Sequence, residues 1–113
     1  MKLITIDIKS QKQTVNEAVA QFLIELESYK IGGFKVLKVI HGYGSHGVGG
    51  TIRSAFLKKC AELKRMQKIT DYICCDNWTP SNTVRKMAIN YCPDLLADKE
   101  LYTLNPGCSI VIL

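Results

Sequence analysis

Thirteen consecutive residues, His41-Gly42-Tyr43-Gly44-Ser45-His46-Gly47-Val48-Gly49-Gly50-Thr51-Ile52-Arg53, hold five of the chain's eight glycines and both of its histidines. Glycine at this density lets a backbone take positive φ and come close to a ligand. The flanks limit the folds that can carry it. Phe34-Lys35-Val36-Leu37-Lys38-Val39-Ile40 is apolar and β-branched after Gly32-Gly33, the pattern of a largely buried strand. From Thr51 to Lys68, residues Ile52, Ala55, Phe56, Cys60, Leu63 and Met66 recur at helical spacing. The glycine segment therefore joins a strand end to a helix start, where the first N–H groups lack partners and the helix dipole favours an anion. Phosphate is the natural candidate. No Lys-Ser or Lys-Thr pair follows the glycines, so this is not a P-loop, and no downstream acid fits the dinucleotide fingerprint. Taken alone, such a segment reads equally as a tight turn.

The remaining elements set this junction in an α/β plan. Lys2 to Ile8 reads as a first strand. Thr14 to Tyr29 reads as a helix whose apolar stripe is Val15, Ala18, Val19, Phe22, Leu23 and Leu26. Thr14 and Glu17 form a capping box, and Lys30 with Gly32 supplies a basic last turn and a left-handed stop. Ile69 to Cys74 reads as a third strand, and strand, helix, strand, helix, strand implies parallel crossovers. Between Asp76 and Gly107 the prolines leave short pieces, among them two helical turns at Val84, Met87, Ala88 and Tyr91 capped by Ser81 or Asn82. Asn105-Pro106-Gly107 is a turn, and Ser109 to Leu113 a final strand. A length of 113 residues allows one domain with a real core. The chain is thus read as one α/β domain over 1–113, a βαβαβ core with a short helical insertion at 76–107 before the last strand.

Composition narrows the function classes. With 47% hydrophobic and 22% charged residues and no apolar run near the roughly 20 needed to span a bilayer, nothing implies a membrane partner. The N-terminus has no signal-peptide pattern, so the expected location is cytoplasmic. Cys60, Cys74, Cys75, Cys92 and Cys108 form no Cys-x-x-Cys pair and no zinc-like spacing with either histidine, so no metal ligands are assigned. They read as reduced, partly buried small hydrophobes. The net charge is +5, and between Thr51 and Lys68 lie Arg53, Lys58, Lys59, Lys64, Arg65 and Lys68 against Glu62 alone. A basic helix face beside an anion-ready segment points to a polyanion, most simply a DNA or RNA backbone; the plainer reading is a solvated face complementing the helix dipole.

These residues resemble the Smr (small MutS-related) domain. His41-Gly42-Tyr43-Gly44 matches the family's HGxG motif, and Gly47, Gly49, Gly50 and Arg53 fit the longer version of its glycine-rich segment. The likeness spans nearly the whole chain, including the Asn-Pro-Gly turn. It implies a two-layer α/β sandwich like the C-terminal domain of bacterial translation initiation factor three. It also implies nucleic-acid binding and, in several members, endonuclease activity on DNA or RNA, with DNA repair among the associated roles. The family's second motif, Asp-x-His-Gly, reads here Asp7-Ile8-Lys9-Ser10. The acid is kept while Lys9 and Ser10 replace His and Gly.

Phosphodiester cleavage requires a proton acceptor, a proton donor and positive charge at the developing phosphorane. Asp7 and His41 end the first two strands and are expected to meet at the sheet's edge. His41 would then act as general base or acid, and Asp7 as its orienting partner or a metal ligand. Phosphate would be held by Lys9, Gly42, Tyr43, Gly44, His46, Gly47, Gly49, Gly50 and Arg53. A carboxylate-bound Mg²⁺ would need phosphate and water to complete its shell. Tyr43 is a candidate for stacking on a base or packing on the neighbouring helix. Standing against these readings, Asp7 could stabilise the turn after strand one, and His41 could be a hydrogen-bonded structural histidine. Two hypotheses follow: an Smr-type nuclease centred on Asp7 and His41, or a non-catalytic nucleic-acid- or ribosome-binding module in which Lys9 marks the lost histidine. Binding of a free nucleotide or sugar phosphate is a third.

Overall fold

The computed structural model describes residues 2–43 and 48–113, with the backbone alone at 48 and 49. The main elements run β1 (Ile4–Asp7), α1 (Val15–Ile31), β2 (Val36–Ile40), α2 (Val48–Arg65), β3 (Asp71–Cys74), α3 (Thr83–Tyr91) and β4 (Cys108–Ile112). Single 3-10 turns at Cys75–Asn77, Pro93–Ala97 and Lys99–Thr103 accompany α3 between β3 and β4. The strands form one mixed sheet in the order β1-β2-β4-β3. β1 and β2 are parallel neighbours, as the βαβ pattern predicts. β2 and β3, in contrast, are separated by β4, which is antiparallel to both. The reason is burial: all five residues of β4 are buried, so this strand needs a partner on each side and cover on both faces.

α1 and α2 lie on one face and make the two-layer α/β sandwich. Period-two alternation sends Ile6, Ile8, Leu37, Val39 and Val111 toward them, where they meet Ala18, Phe22, Leu26, Ile52, Phe56, Cys60 and Leu63. Phe22 and Phe56 are fully buried and meet edge to face, with ring centroids 4.8 Å apart. The other face carries Val36, Ile110, Ile112 and Cys108, which the insertion covers with Trp78, Ala88, Cys92, Leu95 and Leu101. Lys38 is also buried on that side, its ammonium 2.8 Å from Asp98 and 2.5 Å from Glu100. Burial favours the neutral amine, but the two carboxylates outweigh it and raise the Lys38 pKa. This ion cluster ties the last 3-10 turn to the central sheet.

Local signals set the helix ends. Thr14 and Glu17 form the full capping box, and Asn82 caps α3 by accepting from the N–H groups of Val84 and Arg85. α1 continues to Ile31, and Gly33 rather than Gly32 takes the left-handed conformation, at φ +85°. Phe34 N–H donates to the Tyr29 carbonyl and Gly33 N–H to that of Lys30, closing a Schellman motif one residue later than Gly32 alone would. α2 begins at Val48, so Gly49 and Gly50 belong to its first turn and not to the preceding connection. The packing of Ile52, Phe56 and Cys60 on the sheet overrides the weak helix preference of glycine there.

Phe56 joins the α1 contact to the end of β2, so Phe56→Ala is expected to cost about 3–5 kcal/mol in urea unfolding. Ile24→Ala, on the outward face of α1 where Ile24 is 71% exposed, is expected to change stability by less than about 0.5 kcal/mol.

Candidate functional site

The ladder between β2 and β4 ends where Ile40 pairs with Cys108. Beyond it, the N–H groups of His41 and Gly42 both donate to the carbonyl of Gly107, each at 2.9 Å. Gly42 reaches this geometry at φ +74°, which few other residues adopt without strain. The acceptor belongs to the Asn105-Pro106-Gly107 turn, closed by Gly107 N–H on Asn105 Oδ1 at 2.7 Å. The end of β2 is thus fastened to the turn that opens β4.

His41 sits beneath this junction with no exposed surface, its ring tilted over Phe56 at 5.0 Å between centroids. Nδ1 lies 2.7 Å from the Gly42 carbonyl oxygen, and Nε2 lies 2.8 Å from Ser109 Oγ. A carbonyl can only accept, so Nδ1 carries the ring proton and Nε2 accepts from the Ser109 hydroxyl. Burial pushes the His41 pKa down to about 4; the Arg53 charge adds to this, against the opposing effects of the Gly42 carbonyl and the Asp76 carboxylate. At neutral pH the ring is uncharged and both nitrogens are committed.

Asp7 does not join it. Ile6 and Ile8 point toward α1 and α2, so the pleat turns Asp7 to the opposite face, while His41 continues the phase of Leu37 and Val39. The Asp7 carboxylate instead accepts from Lys9 N–H at 2.8 Å, Ser10 N–H at 3.0 Å and the Ser10 hydroxyl at 2.7 Å. Slight burial opposes ionisation, but these bonds and the Lys9 charge win and lower the Asp7 pKa. The expected Asp7–His41 pair is therefore corrected: Asp7 holds the turn after β1, and Ser109 orients His41.

Arg53, in the second turn of α2, donates from Nε to the Pro106 carbonyl at 3.1 Å, and its terminal nitrogen lies 3.5 Å from both Asp76 Oδ2 and Cys74 Sγ. Its side chain keeps 29% of its surface exposed. Asp76 Oδ1 is buried with no hydrogen-bond partner among the described residues. The structure therefore brings Gly42, Tyr43 and Arg53 together around the 105–107 turn. Lys9 is exposed in the turn after β1, and Gly50 lies in the first turn of α2 with Gly49 before it. Gly44, His46 and Gly47 lie outside the described residues. Ser109, Asp76 and Pro106 were not expected at the site. The one sequence signal for Ser109 is a hydroxyl set inside the apolar run Cys108 to Ile112.

The charge of α2 is graded. Its first turn holds no acid, and Lys58, Lys64, Arg65 and Lys68 are exposed. Lys59 pairs with Glu62 at 3.4 Å toward α1, and Lys64 with Asp71 at 3.1 Å. All five cysteines are buried thiols outside any disulfide. Among the described residues no group of three or more His, Cys, Asp and Glu side chains could hold a metal ion, and no helix is long and apolar enough to cross a membrane.

Comparison with protein-family models, curated proteins and solved structures finds no match.

The His41 geometry fixes the sign of a pH effect. Its folded pKa of about 4 lies below the ordinary 6.5, so the unfolded chain binds more protons between these values. The stability His41 contributes is complete above about pH 6.5 and is lost as pH falls through about 4. Unfolding midpoints in urea should show wild type losing its advantage over His41→Gln by about 2–3 kcal/mol between pH 7 and pH 4. A pH-independent difference would contradict a buried, neutral His41.

Proposed function

We propose that this protein binds the phosphate backbone of a nucleic acid at the end of the sheet where β2 meets the 105–107 turn, and that Asp7 and His41 do not cleave it. Arg53, Lys9 and the first N–H groups of α2 supply the phosphate contacts, and the outward side of α2 continues them. From Arg53 to Arg65 the helix rises about 18 Å, the axial length of about five phosphates on one duplex strand. Lys58 lies between them, and α2 places no acid in its first turn. The dipole at that end favours an anion. The observation that carries this reading over a nuclease is the division of labour at the site. His41 is sealed and neutral with both nitrogens occupied, whereas the Arg53 guanidinium stays partly open to solvent. A general base must reach the proton it removes, and among the described residues His41 reaches only Gly42 and Ser109.

Fluorescence anisotropy with labelled duplex DNA and structured RNA tests the proposal. Affinity should fall linearly on a log–log plot against salt, and Lys58→Gln and Arg65→Gln should each reduce the slope by about one. Parallel incubation with Mg²⁺ should leave plasmid and RNA intact. Salt-independent or absent binding would remove the proposal, and cleavage abolished by Asp7→Ala or His41→Ala would restore the nuclease.

A further inference from the structure

Tyr43 is 57% exposed, a large aromatic at the rim of the site. Its position is nevertheless set by the backbone beneath it. A Cβ added to Gly107 would come within 3.1 Å of Tyr43 Cδ1, 3.0 Å of Asn105 Oδ1 and 3.5 Å of Gly42 Cα. The ring therefore rests against bare main chain that only glycine leaves clear. The residue before it, Gly42, is fixed by its left-handed φ and by its hydrogen bond to the Gly107 carbonyl. One edge of the ring is thus backed by the 105–107 turn while most of its surface faces water. The same turn receives Arg53 through the Pro106 carbonyl, so a partly exposed guanidinium and a supported aromatic ring share one rigid mount.

We infer that Tyr43 is a stacking platform for an unpaired base, and that the preferred ligand is a single-stranded or looped segment of nucleic acid. This rests on the backbone-binding reading and adds to it the state of the bases. Inside a duplex the faces of the bases are covered by their neighbours, and only a splayed-out base offers a free π-face to a side chain. Such stacking tolerates any base, in keeping with a site whose other contacts go to phosphate. Preorganisation matters here: a ring already held on its mount loses little freedom when a base covers it.

Two single-stranded probes separate the parts of this inference: a labelled oligothymidylate and an abasic oligomer of equal length, which keeps the phosphates and lacks the bases. Wild type should bind the intact strand about 10-fold more tightly than the abasic one. Tyr43→Phe should keep that preference. Tyr43→Leu should lose it, binding the intact strand no more tightly than the abasic one. A Tyr43→Leu protein that keeps the preference, or that weakens equally on both probes, overturns the platform. Equal affinity of wild type for both probes overturns it alone, whereas binding to neither defeats the backbone-binding reading as well.

Discussion

A single carbonyl oxygen, that of Gly107, receives the N–H groups of both His41 and Gly42, and much of the molecule's working end is arranged around it. The bond pair carries β2 past its last ladder partner and onto the turn that starts β4. Because β4 lies between β2 and β3 and is buried throughout, this attachment reaches the centre of the sheet. Arg53 on α2 and the Tyr43 ring are fastened to adjoining residues of the same turn. A helix, two strands and the glycine-rich connection therefore meet at one three-residue segment.

His41 completes this joint from below. Its ring lies against Phe56, itself packed on Phe22, and it links Gly42 to Ser109 across the β2–β4 boundary. A buried imidazole with a carbonyl on one nitrogen and a hydroxyl donor on the other is well satisfied only when neutral. That is poor equipment for proton transfer near pH 7 and good equipment for holding two strands in register. The charge that meets a polyanion is left to Arg53, Lys9 and the outward residues of α2.

The parts of the fold specified within a few residues were legible in the sequence. The Thr14–Glu17 capping box, a cap at Ser81 or Asn82 and the passage from β2 to a following helix depend on neighbours along the chain. Placement in space depended on partners far away. Lys38 stands within an apolar strand, and its partners Asp98 and Glu100 lie about sixty residues on. The pairing of Asp7 with His41 failed for a reason the sequence does contain. Isoleucines 6 and 8 flank Asp7, while His41 stands in phase with Leu37 and Val39, so alternation alone sends the two side chains to opposite faces. Two strand ends can share a height along the sheet and still present their side chains on its two sides. The central position of β4 had its own signal, a run of apolar residues with little alternation beside the alternating, half-exposed β1.

The protonation state of His41 separates a strut from a catalyst most directly. Nitrogen-15 NMR of the labelled protein reports both the tautomer and the titration of this ring. A strut requires the proton on Nδ1 throughout neutral pH and a midpoint near 4. A proton on Nε2, or a midpoint at or above the ordinary 6.5, would contradict it and return His41 to the role of general acid or base.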